Sequence, residues 1–217
     1  MSHDEPSTVV HKVHHACVII EHGGSRLLID PGELVQPPDL DAIDAVLFTH
    51  GHYDHFAVTV LEDALARGIP VWAPADVVAG CVEHPLLREA VSGQSFVVNG
   101  VNVAVSGDRH ADVHPEIAGP MNRAYLIADE VLVTGDAHPV VQGAFKTLVT
   151  PIDAPWLRAV DLLRYVRDIR PTRVLGIHDG LLNNAGLQVA ASVAASLQTE
   201  GVAESKVLAD GESVTLA

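Results

Sequence analysis

Within the six residues His50-Gly51-His52-Tyr53-Asp54-His55 stand three imidazoles and a carboxylate, directly after the apolar run Ala45-Val46-Leu47-Phe48. Brought together without a cation, such groups compete for protons; a divalent metal makes their convergence favourable. An extended chain persisting past the apolar run would project His50, His52 and Asp54 to one side by the period of two. A turn at its end would let Asp54 and His55 address a second point in space, so the segment could serve two neighbouring metals. The plain alternative is a His-rich surface loop, but this order of ligand types at a strand end points to metal chemistry.

More candidate ligands stand where other apolar runs stop. His110 lies in the polar loop Gly107 to Pro120, which also carries Asp108, Arg109, Asp112, His114 and Glu116. Asp136 and His138 follow the run Val131 to Thr134, and His178-Asp179-Gly180 ends the run Thr172 to Ile177. A binuclear centre needs about three protein ligands per metal, a carboxylate between them and a position left for water.

The elements that must position these residues can be traced along the chain. Val9-Val10 onwards, Ala16 to Ile20 and Arg26 to Asp30 read as strands, the last two joined through Gly23-Gly24, and Asp30-Pro31-Gly32 stops the third. Val35 to Leu40 is a Pro-rich loop, and Asp44 to Phe48 is the strand that delivers the ligand run. Helical spacing covers Phe56 to Arg67, with Phe56, Val60, Leu61, Ala64 and Leu65 inward and Gly68 just past the end. A strand over Ile69 to Ala73 precedes a helical region from Ala75 towards Ala90, broken near Pro85.

Asn99-Gly100 marks a hairpin between Gln94 to Val98 and Val101 to Val105, and Asp129-Glu130 a second between Arg123 to Ala128 and Val131 to Thr134. Val149 ends a further short strand. Pro155 to Arg170 reads as a helix with Trp156, Val160, Leu163 and Val166 or Tyr165 inward, and Gly186 to Gln198 as an Ala-rich helix. Two terminal strands, Lys206 to Leu208 and Ser213 to Leu216, complete a pattern of hairpins followed by helices in each half, which suggests two similar β-plus-α layers.

The 217 residues suit one sizeable domain. Being 48% hydrophobic but only 4% aromatic, the chain must build its core from Val, Leu, Ile and Ala, as in α/β packing. A formal charge of -15 argues against nucleic acid and anionic membrane as partners. The two cysteines, Cys17 and Cys81, read as small apolar residues. Met1 to Ser7 is polar and acidic, and no apolar run approaches membrane-spanning length, so a soluble cytoplasmic protein is expected. Oligomeric state is not legible.

Taken in order, Ile29-Asp30-Pro31-Gly32, Thr49-His50-Gly51-His52-Tyr53-Asp54-His55, His110, Thr134-Gly135-Asp136 and Gly176-Ile177-His178 resemble the five motifs of the metallo-β-lactamase superfamily. The resemblance runs from Val9 to about Leu182. With its opening His15-Ala16-Cys17, the chain is most similar to the branch holding ascorbate phosphate lactonases and related phosphodiesterases. The resemblance implies a four-layer αββα sandwich of the α/β (α+β) class. It implies that His50, His52 and His110 hold one metal and Asp54, His55 and His178 another, with Asp136 bridging and Asp30 orienting ligands from behind.

Zinc is the default for such a donor set, with manganese, iron and nickel as alternatives. The activity implied is hydrolysis of a small ester, lactone or phosphodiester by a metal-bound hydroxide, with Asp54 as the catalytic group moving the proton to the leaving group. Two other readings compete: an iron-dependent redox member of the superfamily, and a non-catalytic metal-binding protein, though no ligand of the motifs is missing.

His114 is the alternative to His110. His138 is either a supporting or substrate-binding group or a solvated loop histidine. His15 is read as structural, although the first hairpin could bring it to the site. His3, His11, His14, His22 and His84 are read as surface residues, and Arg109, Arg123 and Lys146 as surface cations that could meet an anionic substrate. Tyr53 could touch substrate.

Overall fold

The computed structural model describes residues 7–34, 36, 38–141 and 143–216. His3, the polar start up to residue 6, and positions 35 and 37 of the Pro-rich loop lie outside them.

Among the described residues fourteen strands form two seven-stranded mixed sheets. The first half of the chain supplies β1 (Thr8–His14), β2 (Cys17–His22), β3 (Ser25–Ile29), β4 (Ala45–Leu47), β5 (Val71–Ala73) and β6 (Leu87–Glu89). The rest of the chain supplies β7 (Ser95–Val98), β8 (Val101–Ser106), β9 (Ala124–Ile127), β10 (Val131–Val133), β11 (Thr147–Pro151), β12 (Arg173–Ile177), β13 (Glu204–Val207) and β14 (Ser213–Leu216). Sheet order is β14-β1-β2-β3-β4-β5-β6 in one and β13-β12-β11-β10-β9-β8-β7 in the other. Each sheet is antiparallel on one side and parallel on the other.

Side chains alternate across the sheets, which makes three apolar layers. Leu27, Ile29 and Leu47 from one sheet meet Val105, Tyr125, Ile127, Val149 and Leu175 from the other between the sheets. On one outer face Leu28, Val46 and Phe48 pack on α1 (Val58–Ala66) and α2 (Ala75–Ala79). On the opposite face Leu126, Leu132, Leu148 and Val174 pack on α3 (Ala159–Ile169) and α4 (Asn184–Leu197). This is the αββα sandwich.

Local chemistry explains the helix ends. Val60, Leu61 and Ala64 give α1 a buried stripe, and Gly68 turns the chain at φ +79° where a left-handed residue is needed. Asn183 caps α4 by accepting the Gly186 N–H.

Three expectations need correction. Only Ala75–Ala79 of the region towards Ala90 is helical; beyond Gly80, Leu87–Glu89 instead pairs in parallel with β5 and closes the sheet edge. The helix expected from Pro155 begins at Ala159, and its buried residues are Leu162, Tyr165 and Val166, with Val160 46% exposed. Trp156 precedes the helix. The strand at Val149 runs on to Pro151, held between β10 and β12. Among the described residues no helix is long and apolar enough to cross a membrane.

Candidate metal centre

The site lies where β3, β4, β10 and β12 end, on the carboxyl side of the parallel strands, where sheet splay leaves loops free to converge. After β4 the turn expected at the end of the ligand run is present, and it begins at His52, so the period of two does not extend to Asp54. The amides of His55 and Phe56 both donate to His52 O, at 2.9 and 2.8 Å, so the ligand run folds into a turn. Gly32 makes that turn fit: a Cβ there would lie 2.2 Å from the backbone carbon of Asp54.

The structure brings His50, His52, Asp54, His55, His110, Asp136 and His178 together. His50 and His110 rings are 5.0 Å apart, His52 and His110 4.6 Å, and His50 and His55 4.1 Å. Donor atoms of His50, His52 and His110 lie within 4.8 Å of one another; so do those of His15, Asp54, His55 and His178. A third such group, His50, His55 and Asp136, spans the first two and puts Asp136 between them.

Hydrogen bonds behind the imidazoles fix which nitrogen faces inward. His55 Nδ1–H donates to Asp30 Oδ2 at 2.8 Å, His110 Nδ1–H to Ala111 O at 2.6 Å and His178 Nδ1–H to Asp153 O at 2.6 Å. The Thr49 hydroxyl is spent on Asp30 Oδ2, so at 3.0 Å it can only accept from His50 Nδ1–H. Each of these four rings therefore turns an Nε2 lone pair to the centre, as an imidazole ligand must. His52 presents Nδ1, 3.1 Å from His50 Nε2.

Burial makes this arrangement costly without a cation. His55 Nε2, His178 Nε2 and Asp136 Oδ1 are buried with no hydrogen-bond partner. His55 Nε2 and Asp136 Oδ1 are 3.2 Å apart but are not aligned as a hydrogen bond. Unsatisfied buried polar atoms cost about 1–3 kcal/mol each, and converging lone pairs at this spacing suit a metal.

The protonation balance shows the same strain. Burial, then the neighbouring imidazoles, holds His50 well below the usual histidine range; burial and His110 lower His52. Burial would also lower His55, but the charges of Asp136 and Asp30 outweigh it and push this imidazole well above its usual range. Asp136 is likewise held far down, against its burial, by His55 and His110.

His114, by contrast, is exposed and accepts the Glu116 N–H, away from the cluster. The Gly107 to Pro120 loop is not wholly solvated, since His110 is 4% exposed and its amide donates to Pro120 O. His15, taken as structural, is fully buried beside Asp54. His138 stacks on Tyr165 at 4.4 Å and meets Trp156 edge-on; burial lowers its pKa to about 4. His11, His14 and His22 are half-buried and hydrogen-bonded to Ser213, Asp210 and Thr8, whereas His84 is exposed.

Arg123 is not a surface cation: it is 4% exposed, and its guanidinium donates to the carbonyls of Ala90, Gly107, Asp108 and Asn122. Arg109 and Lys146 are exposed. Both cysteines are free, Cys17 buried and Cys81 half-buried. Tyr53 is 55% exposed at the mouth, between half-buried His52 and Asp54.

Three supporting residues had no signal in the sequence. Trp156 Nε1–H donates to Asp136 Oδ2, Asn122 Oδ1 accepts the Asp136 amide, and Thr49 links Asp30 to His50. The role of each depends on contacts across the fold.

The family described as the beta-lactamase superfamily domain matches residues 9–178, most of the chain and every residue of the cluster. The chain belongs to the metallo-β-lactamase superfamily. Within curated relatives, Protein Rv0786c of Mycobacterium tuberculosis is 30% identical over 174 residues, 77% of this chain and 82% of that protein. A UPF0173 metal-dependent hydrolase of Methanosphaerula palustris is 34% identical over 110 residues, 48% of this chain and 45% of that one. Among solved structures, Igni18, a metallo hydrolase of Ignicoccus hospitalis, shares the superfamily fold at a TM-score of 0.75 with 18% identity, covering 97% of this chain and 99% of its own.

Proposed function

We propose that this superfamily member is a metal-dependent hydrolase with a binuclear centre, acting on a small ester, lactone or phosphodiester. One observation carries the reading: four imidazoles anchored through Nδ1–H turn Nε2 lone pairs onto a space where His55, His178 and Asp136 have buried atoms without partners. The UPF0173 relative and Igni18, both described as hydrolases, support the reaction class.

In this reading His50, His52 and His110 would hold one metal and Asp54, His55 and His178 the other, with Asp136 available to both groups of donors. When bound, the cations polarise a carbonyl or phosphoryl oxygen and acidify water. The chain's own part is orientation and proton handling. Asp30, through Thr49 and His55, sets the planes of two ligand rings, and Trp156 sets Asp136. Asp54 reaches the open side, its side chain 14% exposed, where it passes a proton from water to the leaving group. Burial works against its ionisation, but the hydrogen bond from His15 and the imidazoles of His178 and His55 beside it outweigh burial and hold the carboxylate far below its usual range.

No cysteine joins the cluster, so the donor set suits zinc, manganese and iron alike. The test is a panel of lactones, phosphodiesters, esters and thioesters assayed with zinc, manganese and iron. Hydrolysis of at least one class, lost on chelation and restored by metal, is expected. Oxygen consumption with iron and no hydrolysis of any class would replace this reading with a redox one.

A further inference from the structure

His15 sits in the turn between β1 and β2 at φ 51° and is fully buried. It is clamped to the His178 segment from three sides. Its carbonyl accepts the His178 N–H at 2.9 Å, its ring lies 4.0 Å from the His178 ring, and its Nδ1 accepts the Gly180 N–H at 3.0 Å. Glycine at position 180 eases this approach, because a Cβ there would lie 3.0 Å from His15 Cβ and 2.9 Å from His14 Nε2. The buried pair Lys12 Nζ and Asp179 Oδ1, 2.6 Å apart, pins the same two segments.

A backbone N–H can only donate, so His15 Nδ1 carries a lone pair and the ring proton of the neutral imidazole is on Nε2. That Nε2 lies 3.3 Å from Asp54 Oδ2. The tautomer is the reverse of that in His50, His55, His110 and His178, which carry the proton on Nδ1. By position alone His15 would pass as a fourth ligand beside Asp54, His55 and His178. Its lone pair faces the wrong way.

We propose that His15 is a positioning residue: held by Gly180 in the Nε2–H tautomer, it is withheld from the metal and donates to Asp54 Oδ2, fixing the plane of that carboxylate. Asp54 comes from the loop after β4 and His178 from the end of β12, on different sheets, and His15 touches both. It therefore couples the two halves of the second metal position. The effect on turnover rests on the metal-centre reading above; the tautomer does not.

Long-range 1H–15N NMR of the metal-free and zinc-loaded chains should show His15 protonated on Nε2 with Nδ1 as acceptor in both. A His15 protonated on Nδ1 overturns the proposal, whether or not the chain hydrolyses anything. His15→Ala should keep the metal content of the parent chain while kcat on the best substrate of the panel falls about 10- to 100-fold. KM should stay within about twofold. His15→Gln, whose amide N–H can donate towards Asp54, should recover most of the loss. One metal equivalent lost in His15→Ala, an unchanged kcat, or equal losses in both variants each contradicts the role. If His15→Ala does not fold, the NMR tautomer of the parent chain and the His15→Gln kinetics decide.

Discussion

Trp156 donates its indole N–H to Asp136 Oδ2 over 2.8 Å, from outside the helix to which its sequence spacing would assign it. The same oxygen lies 3.4 Å from His110 Nε2 and from His178 Nε2, so the indole orients the one carboxylate set between the two groups of donors. Trp156→Phe keeps the aromatic packing on His138 but loses the donor. It should weaken metal binding about 10- to 100-fold, read by competition with a chelator. Unchanged affinity would mean that Asp136 is held by Asn122 alone.

Asp30 accepts three hydrogen bonds while 1% exposed: from the Thr49 amide, the Thr49 hydroxyl and His55 Nδ1–H. Asp30→Asn leaves one oxygen for three donors. We expect a stability loss of about 3 kcal/mol in denaturant melts, together with weaker metal binding. A loss below about 0.5 kcal/mol would show that the network relaxes around the amide.

Lys12 and Asp179 form an ion pair with side-chain exposures of 0% and 11%. Removing one partner leaves the other buried and uncompensated, so Lys12→Met should cost about 3–5 kcal/mol. The double variant Lys12→Met with Asp179→Leu should recover a large part of that. A double-mutant cycle by chemical denaturation checks both, and additive losses would contradict a direct pairing.

Cys81 is the accessible thiol. Burial and then the charge of Glu62 push it above its usual range, and burial pushes Cys17 far higher. Because a raised pKa delays the thiolate, modification of the native chain by iodoacetamide should be confined to Cys81 and should still be accelerating past pH 9. Mass spectrometry after short exposures reads both. A rate already flat at pH 8 would mean the thiol is not raised.

Much of this architecture follows from short-range patterns. Gly23-Gly24 and Asn99-Gly100 marked two of the hairpins, and the run Arg26 to Asp30 marked a strand whose Leu27 and Leu28 pack on opposite faces. All seven proposed ligands converge, because the order of the motifs carries the topology with it. What failed depended on contacts distant in sequence. Leu87–Glu89 is a strand only because β5 offers an edge, and Trp156 left the helix for Asp136. The partners of His15, Gly180 and Asp54, lie far from it along the chain, so its contact with the site was not legible nearby in sequence. Arg123 looked like a surface cation because the carbonyls of Ala90, Gly107 and Asp108 that bind it lie far from it along the chain.

The central claim is that two metals share this cluster, and metal analysis of the purified, fully loaded chain tests it most directly. About two equivalents per chain are expected for the parent, with Asp136→Ala losing metal as well as turnover. A folded chain that is active with one equivalent or none, or an Asp136→Ala variant with undiminished metal content, would contradict it.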